Sequence, residues 1–189
     1  MLVDKTLNGN ILCSVGMNTN GDEIFELCVI PLDKNLDPMF DKMFDKGIRI
    51  REPDLIKTKR LITFRDESAV YESFDLWSED ITKDGQILPL GYDWPSAKEF
   101  LKVFFGNGYK YFFHDTVRDI KTTSHYLNDL AESNDQKPLP FPKQTLKYLG
   151  NCCDVEVPGD ASALSKAIAI AEIYKKMVML DASRTIISF

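Results

Sequence analysis

The sequence predicts an α/β fold: a mixed five-stranded sheet, an antiparallel meander followed by parallel strands, with helices on both faces. Three observations support this. Three β-like stretches crowd into the first 50 residues, separated by polar segments. From Glu67 onward, apolar residues recur at helical spacing between short apolar runs. Strands that first meander and then alternate with helices pack as one sheet covered by helices. The 189 residues suit one domain, spanning 1–180, with a C-terminal tail at 181–189.

Ile11-Leu12-Cys13-Ser14-Val15 reads as a buried first strand. Asn18-Thr19-Asn20-Gly21-Asp22 follows, and Asn-Gly is a strong hairpin signal. Ile24 to Leu32 is the second strand, closed by Pro31 and the polar Asp33-Lys34-Asn35. Ile48-Arg49-Ile50 alternates and reads as a third, edge-like strand. A helix starts near Glu67, with Val70, Phe74 and Trp77 four and three apart. Ile87-Leu88-Pro89-Leu90-Gly91 is the next strand. Pro95 suits a first helical turn and Gly106 the end of that helix, which carries Phe100, Leu101, Phe104 and Phe105. Tyr109 to His114 is aromatic-rich and reads as a strand. Asp119 is placed to cap a helix running to about Leu130. Asn134 to Pro142 is a polar, proline-rich loop, and Thr145 to Leu149 a short helix. Ala161 to about Leu180 is a long helix with Leu164, Ile168, Ala171 and Tyr174 on one face. Its second apolar row, Ile170, Ile173 and Met177, predicts burial on two sides.

Composition narrows the function classes. A hydrophobic share of 44% and a charged share of 28% are ordinary for a soluble domain. No apolar window has the length of a membrane span. Met1-Leu2-Val3-Asp4-Lys5 lacks the basic-then-apolar order of a secretory signal. The four cysteines, with Cys152 and Cys153 adjacent, form neither a disulfide framework nor a zinc spacing, so reduced thiols in a cytoplasm are expected. A net charge of −6 weighs against a broad basic surface for nucleic acid but leaves room for a local groove.

Four stretches, in order, resemble one family. They are Asp22 to Asp33, then Pro89-Leu90-Gly91-Tyr92-Asp93-Trp94-Pro95-Ser96-Ala97-Lys98-Glu99-Phe100-Leu101. The third runs from Arg118-Asp119 to Asn128-Asp129. The last is Pro140 to Leu149 followed by Ala161 to Tyr174. Together they resemble the DEDDh-class 3′–5′ exonucleases of the ribonuclease H-like superfamily, the phage and bacterial members above all. The resemblance covers Ile11 to about Met179. It implies a bacterial cell or a phage-infected host, and it allows a homodimer.

The resemblance also implies a chemistry, phosphodiester hydrolysis at a 3′ end by two Mg²⁺ or Mn²⁺. Four carboxylates hold the metals, and a histidine activates the water. Cys13 and Val15 stand at the positions of the first two carboxylates. Ala97 stands at the third and Lys166 at the fourth, and Ala161 replaces the histidine. All five groups are gone and one is reversed in charge. Loss of a single member of a concerted site costs orders of magnitude in rate. No cofactor is therefore expected, and enzyme activity is disfavoured.

Other residues have bland readings. Asp22, Glu23, Glu26, Asp93, Asp119 and Asp160 lie near the motifs, but Asp119 reads as a cap and Asp93 takes a non-ligand position. His114 and His125 lack ligand spacing. Cys13 reads as a buried structural thiol. Tyr109-Lys110-Tyr111-Phe112-Phe113 could stack bases, though half of a strand faces the core. Lys166 is expected in a pocket with Cys13, Val15 and Ala97, answered by Glu26 or Asp160, or by a phosphate of bound nucleic acid. Three functions follow: a catalytically inactive pseudo-exonuclease binding single-stranded nucleic acid or a protein partner, an active exonuclease with a non-standard site, or a scaffold with no nucleic-acid role.

Overall fold

The structure is a computed structural model describing residues 9–49, 64–159 and 161–185. Strands β1 (Ile11–Asn20) and β2 (Glu23–Pro31) form an antiparallel hairpin closed at Gly21, whose φ of 60° suits a residue without a Cβ. β3 (Phe44–Ile48) continues the meander antiparallel to β2. β4 (Phe64–Arg65) adds a two-residue parallel pairing to β3. On the other side of β1 lie β5 (Ile87–Gly91) and then β6 (Arg118–Asp119), both parallel. The order is β4-β3-β2-β1-β5-β6. The sheet thus has six strands among the described residues, not five.

Helices cover both faces. On one side are α1 (Glu67–Thr82), α2 (Trp94–Phe105) and α3 (Tyr109–Phe112). On the other are α4 (Ile120–Ser133), α5 (Leu146–Cys152) and α6 (Ala163–Thr185). Alternation along β1 feeds both layers, with Cys13 and Val15 in the first and Leu12 in the second. The first layer centres on Phe74, which is fully buried. Its ring lies 5.0 Å from Phe44, 4.6 Å from Phe105 and 5.1 Å from Phe112. The contacts with Phe44 and Phe112 are edge-on, and such packing adds about 0.5–1.5 kcal/mol per pair beyond area burial.

In the second layer, α6 lies directly on β1. A Cβ on Gly16 would come within 2.0 Å of the Ala163 carbonyl oxygen and 2.7 Å of the Ala167 nitrogen. The Ser14 hydroxyl donates to the Ala167 carbonyl at 2.6 Å. Ala163 and Ala167 are fully buried, so small residues on both elements permit the close approach. Of the two apolar rows read on this helix, Ile170, Ile173 and Met177 are buried throughout; in the other, Ala171 is fully buried and Leu164, Ile168 and Tyr174 are half-buried.

Several elements differ from the sequence reading. The third strand is Phe44–Ile48, which shares only Ile48 with the expected stretch. The expected strand at Tyr109–His114 is instead the helical turn α3, and only Phe113 bridges to β5, opposite Ile87. Tyr109, Phe112 and Phe113 sit three and four apart, so a single turn buries all three where a strand would have turned some outward. α6 begins at Ala163 and continues to Thr185, into the stretch read as a tail. Met1–Lys5, Ile50, Asp160 and 186–189 lie outside the described residues. No helix among the described residues is long and apolar enough to cross a membrane.

Candidate functional site

β1 runs five residues beyond Val15, and its register shifts between Asn18 and Thr19. This bulged end forms one wall of a cleft of about 280 Å³ with Met17, Asn18 and Thr19. Ser96, Ala97 and Phe100 of α2 and Lys166 of α6 also line it. Tyr92 and Asp93, at the junction of β5 and α2, form one lip. Asp93 adopts the left-handed conformation, φ 55°, which Asp tolerates better than most residues. Its carboxylate pairs with Lys121 at 3.2 Å.

At the centre is a chain of charge and hydrogen bonds. The Lys166 ammonium donates to the Met17 carbonyl at 3.2 Å and to Asn18 Oδ1. Asn18 Nδ2 donates to Glu26 Oε2 at 2.5 Å and to the Ala161 carbonyl at 3.1 Å. Glu26, only 5% exposed, also accepts from the Ala163 nitrogen at 3.3 Å, at the start of α6. A carboxylate there satisfies an otherwise orphan helix N–H and meets the positive end of the helix dipole. Lys166 therefore reaches Glu26, one of its two expected internal partners, through Asn18. Burial pulls the Lys166 pKa below the ordinary lysine value, and the Glu26 charge opposes that pull.

The structure brings together only part of the expected set. Ala97 and Lys166 line the cleft. Cys13 and Val15 do not; they are buried in the layer around Phe74. Burial holds the Cys13 thiol far above its ordinary pKa, as expected of a structural cysteine. Ala161 is buried and contributes its backbone carbonyl to Asn18. The residues that sequence reading missed are Met17, Asn18 and Thr19, because a polar run before Asn-Gly looks like the turn itself. Strict alternation from Cys13 would have carried the strand face on to Met17.

This donor set does not fit the two dications of the exonuclease chemistry. It offers an ammonium, an amide and a main-chain carbonyl, and its one buried carboxylate already serves Asn18 and Ala163. No three His, Cys, Asp or Glu side chains come together at a metal-holding distance among the described residues.

The remaining candidates are structural. Asp119 caps α4 through Lys121 and Thr122, as expected, and its second oxygen accepts from the Trp94 nitrogen at 2.6 Å, the first residue of α2. His114 accepts from the Thr116 nitrogen, and His125 is exposed on α4. Of the aromatic run, Tyr111 alone is open to solvent, at 60%. No protein-family model matches the chain, and no curated protein matches it.

Proposed function

We propose that this chain is a pseudo-exonuclease, a ribonuclease H-like scaffold of the DEDDh type that binds a partner and does not cut nucleic acid. The three-strand meander, the two parallel strands beside β1 and the helices on both faces support the scaffold. One observation carries the loss of cutting. The Lys166 ammonium, tied through Asn18 to Glu26, lines the cleft with Ala97, at two of the four positions where the resemblance calls for metal-binding carboxylates.

Of the partner classes left open, a protein suits the charges better than single-stranded nucleic acid. The cleft's cation is already shared with Glu26 through Asn18, and the chain carries −6 overall. The test is incubation of pure protein with 3′-end-labelled single-stranded DNA and RNA, in Mn²⁺ or in chelator. Intact substrate under both conditions is the expected result. Metal-dependent shortening overturns the proposal. A mobility shift without shortening, weakened by Lys166→Asp, moves the partner assignment to nucleic acid, with the ammonium holding a phosphate.

A further inference from the structure

Beyond Phe100, which it shares with the cleft, a second groove of about 190 Å³ opens along α2. Ile24 and Ile48, both buried, belong to its β2–β3 side. Its α2 wall presents Phe104 and Val103, and Val103 is 68% exposed. One exposed valine is ordinary on a protein surface. Here it stands beside Phe104 and Phe100 on the apolar part of a groove that also carries charged residues, and covering it would bury both rings further.

The rim gives the occupant its charge. Asp22, in the β1–β2 turn, and Glu67, the first residue of α1, line the groove and have no counter-ion among the described residues. Arg49, on the same rim, is neutralised by Asp66 at 3.0 Å. The volume is below the roughly 300–1,000 Å³ of small-molecule sites and suits a single large side chain. Apolar walls beside the Asp22 and Glu67 carboxylates match an apolar anchor flanked by cations and repel a phosphate backbone.

We propose that this groove docks a basic segment of a partner protein, with one apolar side chain against Val103 and Phe104 and flanking Lys or Arg residues meeting Asp22 and Glu67. The inference rests on the protein-binding reading above for its class of partner and takes nothing from the cleft chemistry.

The test is titration of the ¹⁵N-labelled full chain with a peptide of one leucine between two pairs of lysines, read by amide chemical shifts. A glutamate-for-lysine peptide and oligothymidine serve as comparators. The expected shifts centre on Asp22, Ile48, Val103 and Phe104 with the lysine peptide alone. Val103→Asp weakens binding at least fivefold, and Asp22→Lys with Glu67→Lys at least tenfold. The spectrum of each free variant verifies its fold. Shifts centred elsewhere, equal binding of either comparator, or unchanged affinity in both variants overturn the proposal. So does self-association abolished by Val103→Asp, because the occupant is then a second copy. Failure here is separable from failure of the pseudo-exonuclease reading, which only metal-dependent cutting decides.

Discussion

The coupling between Lys166 and Glu26 can be measured by a double-mutant cycle. Glu26→Gln removes the charge but keeps an acceptor for the Ala163 N–H and for Asn18. Lys166→Met keeps the stem and removes the ammonium, leaving Asn18 Oδ1 and the Met17 carbonyl without that donor. Two unit charges bridged by one amide side chain, roughly 6 Å apart, interact by about 3 kcal/mol at an effective dielectric of about 20. Lys166 borders the open cleft, so solvent screening leaves about 1–2 kcal/mol. Each single variant is expected to lose about 1–3 kcal/mol, and the double variant about 1–2 kcal/mol less than their sum. Urea unfolding at neutral pH and low salt, with unchanged m-values, supplies the four free energies. Additivity to within about 0.5 kcal/mol refutes the claim that Asn18 joins the two charges.

Three further outcomes follow from the same geometry. Gly16→Ala should cost about 2–4 kcal/mol, because its methyl meets backbone of α6 and the helix must lift from β1; a thermal shift of less than a degree would contradict this. Burial lowers the Lys166 pKa, so the unfolded chain holds this proton to higher pH than the folded chain does. The residue's cost is thus present at neutral pH and relieved as pH rises toward about 10. The stability of the native chain relative to Lys166→Met should accordingly improve over that range, and a flat difference in urea titrations would exclude the burial effect. Among the four thiols, Cys152 alone is exposed, while burial raises Cys153 to about 11. An aromatic disulfide reagent near pH 8 should therefore modify one thiol rapidly in the native chain and four after denaturation. Fast reaction of a second native thiol would contradict the packing described.

What was legible in the sequence was local chemistry. Gly21 in the hairpin turn and Gly106 after α2 take positive φ values that few other residues adopt, Pro95 suits a first helical turn, and Asp119 offers a side-chain cap to α4. The third strand was misplaced because Asp45, Lys46 and Gly47 are poor strand formers held in place by pairing with β2. β4 is too short to show any periodicity. Tyr109 to Phe113 satisfies both a strand's aromatic preference and a helix's spacing, and contact with Phe74 and Phe105 decides between them. At the cleft, Ala97 and Lys166 were placed by motif order. Asn18 was hidden because its role depends on Glu26, Lys166 and the Ala161 carbonyl, which only the folded chain brings to it.

The two oxygens of Asp119 have a dynamic consequence. One oxygen serves the first turn of α4 and the other the first residue of α2, so neither helix start can fray without disturbing its neighbour. Elements from opposite faces of the sheet are thereby latched at one point. Exchange of the Trp94 and Lys121 amides with deuterated solvent should follow one shared opening equilibrium.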